Sequence, residues 1–374
     1  MSQTASVPPA GQDPSTADRT VVARLAWLDR YLPLWIFLAM AAGIALGALA
    51  PGAKGAFGAL SIGGVSLPIA VGLLWMMYPV LAKVKYEELG RVREAGEQFG
   101  VSLVLNWAIG PVIMFALAWL FLPDLPEYRT GLILVGLARC IAMVLIWNML
   151  AGGNDAYCAV LVALNSVFQI VLYSPLAYAF LVVVPGWFGQ PGTVVDISMG
   201  EIARNVLIFL GIPLAAGALT RHVMVGRRGL DWYDHVLMPR LGPTALVGLL
   251  FTIVVMFSLQ GDKILAEPWD VVRIAVPLVL YFVLMFAVSM GLSWWRGYPY
   301  DLAATQSFTA ASNNFELAIA VAVATFGIAS GEALATVVGP LVEVPVLVGL
   351  VYVALWVRRR FFGERRAAAL VGGL

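Results

Sequence analysis

Two long apolar segments of the sequence each carry one chemically reactive side chain near the middle. In residues 131–151 the thiol of Cys140 directly follows Arg139, and in residues 302–329 the carboxyl group of Glu316 stands alone. Three small polar residues come shortly before this glutamate, namely Ser312, Asn313 and Asn314. Reactive and ionisable groups are costly in apolar surroundings, so they usually face a cavity or a partner. These two segments are therefore the candidates for chemistry.

Cys140 has two interpretations. A lone cysteine in an apolar segment is most often a small packing residue. The neighbouring cation of Arg139 instead favours the thiolate, which is the form that attacks electrophiles and binds metals. A soft sulfur ligand selects thiophilic centres rather than sodium. The other cysteine, Cys158, has no basic neighbour in the sequence and is predicted to pack.

Glu316 is predicted to exchange a proton. The small polar residues before it suit an unwound stretch of backbone that lines a water-accessible cavity. Burial favours the neutral carboxyl group, so Glu316 can take up a proton when the cavity opens to one side and release it on the other. The alternative is a structural ion pair between Glu316 and Arg139. Four further polar residues lie within apolar segments: Asn148, Asn165, Gln169 and Glu343.

The elements that position these residues follow from composition. The chain is 61% hydrophobic and 12% charged, whereas soluble domains are about half apolar and about a quarter charged. Runs of about 20 apolar residues match the thickness of a bilayer core, and barrel strands would be shorter and alternating. We predict an all-α polytopic membrane protein with ten transmembrane helices, at residues 32–50, 65–81, 100–122, 131–151, 157–184, 202–219, 239–259, 271–295, 302–329 and 335–357.

The basic residues predict the orientation of these spans. With the N-terminus in the cytoplasm, seventeen Lys and Arg residues fall on the cytoplasmic side and four on the outer side, while Arg139 and Arg204 lie within spans and are not counted. This bias predicts that both termini are cytoplasmic. Residues 1–31 are predicted to form a disordered tail and entry, and residues 358–374 a basic tail. The net charge of +1 gives no indication of a nucleic-acid partner.

The ten spans divide into two five-helix repeats, residues 32–184 and 202–357, joined by a linker at 185–201. Because five is odd, the second repeat must be inserted upside down relative to the first. Each fourth span of a repeat carries polar residues at mid-depth and is followed by a glycine-containing break, and inverted repeats with interrupted helices are typical of secondary transporters. The fourth and ninth helices are therefore predicted to be discontinuous, with Cys140 and Glu316 meeting at one midplane site. The spans contain no histidine or paired aspartate, which argues against an intramembrane enzyme.

Motifs in both halves resemble those of the arsenite-efflux permeases in the bile acid, arsenite and riboflavin transporter superfamily. The most specific are Ala-Arg-Cys at 138–140 and Ser-Asn-Asn-Phe-Glu at 312–316, supported by residues 74–80, 147–148 and 162–169. The likeness covers residues 32–360. It implies panel and core domains and export of trivalent arsenic by proton antiport from a bacterial inner membrane.

The resemblance also implies roles for the candidate residues. Cys140 and Glu316 correspond to the family's essential cysteine and glutamate. We expect Cys140 to bind arsenic(III) as substrate and Glu316 to exchange the coupling proton. Four residues are expected to bond the substrate hydroxyls: Asn148, Ser312, Asn313 and Asn314. Arg139 and Asn165 are expected to support them.

The sequence departs from the family pattern after the fourth span. Asn154 and Ala156 stand where acidic residues are usual, with Asp155 between them, which leaves the role of this loop open.

The expected partners are arsenite, protons and membrane lipid, with no cofactor. Antimonite transport, proton stoichiometry, oligomeric state and an assisting ATPase subunit stay open. The rival interpretation is a sodium-coupled organic-anion symporter of the same superfamily, with polar oxygens such as those of Glu316 and Asn313 as sodium ligands.

Overall fold

The computed structural model describes residues 31–49, 61–62, 65–87, 96–189, 198–266, 268–327 and 330–362, and these are almost entirely helical. In chain order the principal described helices are α1 (Leu32–Leu49), α2 (Leu67–Ala82), α3 (Gly96–Phe121), α4 (Pro126–Leu137), α5 (Met143–Ala151), α6 (Asp155–Trp187), α7 (Met199–Arg228), α8 (Met238–Ala266), α9 (Pro268–Trp295), α10 (Tyr300–Ala311), α11 (Phe315–Phe326) and α12 (Gly331–Phe362). The helical residues Leu230–Trp232 and Tyr233–Leu237 lead directly into α8. Residues 1–30 of the predicted N-terminal tail, residues 190–197 of the predicted linker and residues 363–374 of the predicted C-terminal tail lie outside the described residues. So do eight of the basic residues used for the orientation: Arg19, Arg24, Arg30, Lys54, Arg91, Arg93, Arg365 and Arg366.

One pair of two-residue strands precedes α2 in an otherwise helical structure. Strands β1 (Ser61–Ile62) and β2 (Val65–Ser66) pair antiparallel, with Ile62 opposite Val65. The second predicted span therefore begins with a strand, and its helix begins at Leu67.

Six of the predicted spans coincide with single helices that are long and apolar enough to cross a membrane. These are α3, α6, α7, α9, α12 and the stretch Leu230–Ser258, which includes most of α8. The first two predicted spans coincide with α1 and α2, which are apolar but shorter. Because about 20 apolar residues span a bilayer core, the chain is a multi-pass membrane protein.

The predicted fourth and ninth spans are each divided into two short helices. Helix α4 ends at Leu137 and α5 begins at Met143, while α10 ends at Ala311 and α11 begins at Phe315. The second break ends at an asparagine cap, because Asn314 Oδ1 accepts a hydrogen bond of 3.1 Å from the Leu317 amide. Non-helical backbone at membrane depth is tolerated only inside the protein, which fits the burial of both breaks.

The helices pack into two groups. The first group consists of α1, α2, α8 and the C-terminal part of α7, and the second group contains α3, α4, α5, α6, α9, α10, α11 and α12. In the first group α1 and α8 approach closely because Gly43 and Gly47 have no side chain at the contact. A Cβ atom on Gly43 would lie 2.6 Å from the Val254 carbonyl oxygen. Small residues four apart allow such close approach between membrane helices.

Candidate functional site

The two helix breaks lie against each other. Arg139 and Asn313 form an isolated antiparallel β-bridge, and the Asn314 amide donates to the Ala138 carbonyl at 3.1 Å. The Asn313 side-chain amide nitrogen donates to the carbonyls of Val135 at 2.8 Å and Ala138 at 3.1 Å. Carbonyls at the end of a helix have no partner within that helix. Asn313 therefore caps α4 from the opposite break and joins the two breaks into one crossing.

Gln169 on α6 fixes this crossing from a third side. Its Oε1 accepts hydrogen bonds from the Arg139 backbone amide at 3.1 Å and from Asn314 Nδ2 at 3.3 Å. Its Nε2 donates to the Asn165 carbonyl, and Gln169 is fully buried. Gln169 stands out in the sequence as a polar residue at depth, but no role was predicted for it.

Arg139 points away from the reactive groups. Its guanidinium donates to the Tyr281 hydroxyl at 2.8 Å and to the Gly136 carbonyl. In the part of the chain that the structure describes, it forms no ion pair with Glu316. Successive residues of extended backbone point to opposite sides, so Arg139 turns towards α9 while Cys140 faces the other way. The alternative ion pair between Arg139 and Glu316 is therefore absent from the described residues, whereas support of the site by Arg139 stays a prediction.

A small cavity of about 30 Å³ lies beside the crossing, where the two helix groups meet. Ile36 of α1 and Leu249 of α8 line it from the first group. From the second group it is lined by Cys140, Ala142, Met143, Asn313, Phe315, Glu316, Pro340, Glu343 and Val344. The thiol and the carboxyl group that the sequence singles out thus share one cavity.

Three of the four polar side chains that line the cavity are almost completely enclosed, and Glu316 is partly exposed. Cys140 and Asn313 are each 2% exposed and Glu343 is 3% exposed. The Cys140 sulfur accepts a hydrogen bond from the Val144 amide at 3.3 Å, and Glu343 Oε1 accepts one from the Asn313 amide at 3.3 Å. Asn313 Oδ1 is buried and has no hydrogen-bond partner among the described residues. It is therefore available as an acceptor for a ligand.

Ser312 and Asn314 contribute mainly to the backbone of the crossing. The Ser312 hydroxyl donates to the Phe308 carbonyl at 2.9 Å and also lies within hydrogen-bonding reach of the Cys140 thiol. The Asn314 side chain is used by Leu317 and Gln169. Of the three small polar residues, only Asn313 lines the cavity.

Asn148 is located elsewhere, at the end of α5. Its Nδ2 donates to Asp155 Oδ1 at 2.8 Å, and its Oδ1 accepts from the Thr305 hydroxyl at 2.6 Å. Asn154 next to it caps α6 through the Tyr157 amide at 2.9 Å. Asn148 does not line the Cys140 cavity, so the structure does not bring it together with Cys140 and Glu316, and its bonding of substrate hydroxyls stays a prediction. Its amide instead holds the turn that follows α5.

Asn165 is likewise outside the cavity. Its Oδ1 accepts a hydrogen bond of 3.3 Å from Trp107 Nε1. Its contribution to the site is indirect, through the bond from Gln169 to its carbonyl.

Glu343 is a cavity residue that was not among the site residues predicted from sequence. It comes from α12, and its carboxyl group is close enough to that of Glu316 for the two to interact electrostatically. The sequence does indicate Glu343, because an ionisable residue within a predicted membrane span is a functional candidate by default.

Two interrupted helices cross beside a buried reactive cavity, and this cavity lies between two groups of membrane helices. This arrangement, together with the relatives described next, defines the chain as a membrane transporter rather than an enzyme.

The sequence profile of the sodium bile acid symporter family matches residues 70–267. The arsenical-resistance protein Acr3 of Corynebacterium glutamicum is 54% identical over 93% of this chain and 94% of its own. An uncharacterized transporter of Synechocystis is 36% identical over 88% of this chain and 90% of its own. The arsenical-resistance protein Acr3 of Alkaliphilus metalliredigens is 33% identical over 90% and 95%, respectively. The chain belongs to the arsenite-efflux permease family within the superfamily of bile acid, arsenite and riboflavin transporters.

Proposed function

We propose that this transporter exports trivalent arsenic, as arsenite, from the cytoplasm in exchange for protons. The observation that carries the proposal is the shared cavity of Cys140, Glu316 and Glu343 at the helix crossing. Two of the relatives are named arsenical-resistance proteins, which supports arsenic as the substrate.

The chemistry of arsenite fits a single thiol. Arsenite near neutral pH is an uncharged molecule with hydroxyl groups, and its arsenic atom bonds thiols. When Cys140 binds, a sulfur–arsenic bond forms, and the thiol proton leaves with one arsenic hydroxyl as water. Water reverses the step, so one thiol releases its cargo whereas three would hold it too tightly. The unpartnered Oδ1 of Asn313 accepts a hydrogen bond from a remaining hydroxyl.

The two carboxyl groups supply the coupling. Two like charges close together in a low-dielectric cavity repel each other, so Glu316 and Glu343 together retain a proton readily. The exchange requires that binding of arsenite at Cys140 and protonation of this pair exclude each other, and all three side chains line the same cavity. Protons entering from outside displace arsenite outwards, and arsenite entering from the cytoplasm displaces protons inwards.

In the proposed topology the chain crosses the membrane ten times. The paired short helices α4–α5 and α10–α11 each make one crossing, and the repeats 32–184 and 202–357 are inverted relative to each other. Both termini then lie in the cytoplasm, and the protein resides in a bacterial inner membrane. The first and second helix groups of the structure correspond to panel and core domains.

Everted membrane vesicles test the site directly. We expect Cys140→Ser to abolish arsenite uptake and Glu316→Gln to abolish its dependence on the proton gradient. Cys158→Ser is the matched control, because Cys158 is a fully buried thiol that does not line the cavity. Wild-type uptake by a Cys140→Ser protein present at normal levels in the membrane would exclude the thiol role. Growth of an arsenite-sensitive strain on arsenite and antimonite dose series measures substrate range.

A sodium-coupled symporter is the second candidate, because the matching family profile describes sodium bile acid symporters. Replacing sodium with potassium in the vesicle assay distinguishes the two. Sodium-driven accumulation of an organic anion, with no arsenite transport, would favour the symporter.

A further inference from the structure

A much larger cavity lies on the outer surface of the helix bundle, between α9 and α12. This α9–α12 groove has a volume of about 480 Å³. It is lined on one side by Val283, Ala287 and Gly291 and on the other by Leu350, Val353 and Val357. Its lining is apolar, and both helices are long enough to span a membrane, so the groove faces the hydrocarbon of the bilayer.

The length of the groove matches one leaflet. On α9 its lining extends from Val283 to Trp294, which is about 16 Å at 1.5 Å per residue. Half of a bilayer core is about 15 Å thick. The groove therefore extends from the membrane surface to the midplane, as a single lipid acyl chain does.

One end of the groove has an aromatic and basic border. The rings of Trp294 and Phe361 lie 6.3 Å apart across the two helix ends, and Trp356 packs against Phe361 at 5.8 Å. Arg359 and Arg360 directly precede Phe361 in the sequence, and both are exposed. Arg359 Nε donates to the Leu355 carbonyl at 3.4 Å. Aromatic belts mark the membrane–water interface, and basic residues next to a membrane helix attract anionic lipid headgroups.

A second apolar groove shows that the basic border is specific to the first. It has a similar volume of about 480 Å³ and is lined by residues such as Phe37, Val276 and Val338. Among the described grooves, only the α9–α12 groove ends next to consecutive exposed arginines, which are Arg358, Arg359 and Arg360.

We propose that the α9–α12 groove binds an anionic phospholipid, with one acyl chain along the groove and the phosphate held by Arg359 and Arg360. The occupant is a lipid rather than free phosphate, because the groove supplies the apolar contact and the arginines supply the charge. This site is separate from the Cys140 cavity and does not depend on the transported substrate.

Binding of phosphatidylglycerol to the detergent-solubilised full chain tests the site, with phosphatidylcholine as the zwitterionic comparison. Native mass spectrometry gives the lipid-bound fraction across a titration. We expect tighter binding of phosphatidylglycerol by the wild type. Arg359→Gln with Arg360→Gln should weaken it about 30-fold, from about fivefold for each arginine near a membrane surface.

Filling the groove gives an independent test. A Cβ atom added to Gly291 would have no neighbouring atom within 4 Å, so Gly291→Trp places a large side chain in the groove with free space at its attachment point. Gly349→Trp is the matched control, since Gly349 is equally unobstructed but is not part of the groove lining. We expect loss of phosphatidylglycerol binding in Gly291→Trp only. Equal binding of both lipids by the wild type, or unchanged binding in both the Gly291 and the double arginine variants, would overturn the proposal.

Discussion

Replacing Asn313 by alanine should impair transport far more than it destabilises the fold. The change removes two side-chain hydrogen bonds, to the carbonyls of Val135 and Ala138. Hydrogen bonds between membrane helices contribute about 0.6 kcal/mol on average and about 1.7 kcal/mol at most. The expected loss of unfolding free energy is therefore about 1–3 kcal/mol, which corresponds to a few degrees in Tm. The backbone bond from Asn314 to Ala138 remains and keeps the breaks together.

The transport rate depends more steeply on the positions of the reacting groups than the free energy of unfolding does. A displacement of about 1 Å between reacting groups can reduce a rate by about 100-fold. We therefore expect at least a tenfold loss of arsenite uptake in everted vesicles, with the protein still present in the membrane. Asn313→Asp should be equally inactive, because it keeps the Oδ1 acceptor and loses both donors. Asn205→Ala is the control, since it removes one hydrogen bond, to Thr325, outside the cavity.

Two results would refute this reasoning. Uptake by Asn313→Ala within twofold of the wild type would mean that the cap does not position the thiol and the carboxyl groups. An equal loss in Asn205→Ala would mean that any lost interhelical bond disables the protein, whatever its location. Thermal unfolding in detergent and quantitative immunoblots of the membrane fraction separate these cases from simple loss of protein.

Three further changes test other parts of the structure. Glu343→Gln keeps the size of the side chain and the acceptor for the Asn313 amide, so it should leave Tm nearly unchanged. It should flatten the pH dependence of arsenite uptake. An unaltered pH profile would mean that Glu343 takes no part in the proton exchange. Gly43→Leu should lower Tm in detergent by overpacking the α1–α8 contact, at a cost of about 1–3 kcal/mol, whereas Gly349→Leu should not; equal Tm values would contradict the close contact. Burial raises the pKa of Glu87, but its hydrogen bonds with Arg221 outweigh this effect and lower the pKa overall. The stabilising effect of Glu87 is therefore present above the ordinary glutamate pKa and is lost as the pH falls through the lowered pKa. The Tm difference between wild type and Glu87→Gln should therefore be small at pH 7, since the Glu87 side chain is half exposed, and should vanish near pH 3; a difference that grows on acidification would contradict this sign.

Much of the fold could be predicted because the bilayer imposes it. Apolar run length alone located the six long helices, since a membrane span needs about 20 such residues. The hairpin before α2 could not be predicted this way, because Val65 and Ser66 extend the apolar run whether they form a helix or a strand. The broken fourth and ninth spans were indicated by polar residues at mid-depth rather than by hydropathy, which is continuous across both.

The sequence likewise predicts some of the site residues and their contacts but not others. Residue type and depth were sufficient to select Cys140 and Glu316, which line one cavity. The direction of Arg139 was not predictable, because it depends on the extended backbone at the break and on the Tyr281 hydroxyl, 142 residues away in the sequence. The location of Asn148 outside the cavity was not predictable for a related reason. Its partner Thr305 lies 157 residues away, and its own depth in an apolar run says nothing about that contact.

The closed cavity also limits how transport can occur. Ile36 and Leu249 cover it from the first helix group, while the thiol and both carboxyl groups belong to the second. Within the first group α1 is tightly packed on α8 through Gly43 and Gly47, and within the second the crossing is fixed by Asn313 and Gln169. The interface between the groups is therefore the least constrained boundary around the site. Movement of one group relative to the other would expose the same thiol and carboxyl groups to each side in turn, which is the minimum that exchanging arsenite for protons requires.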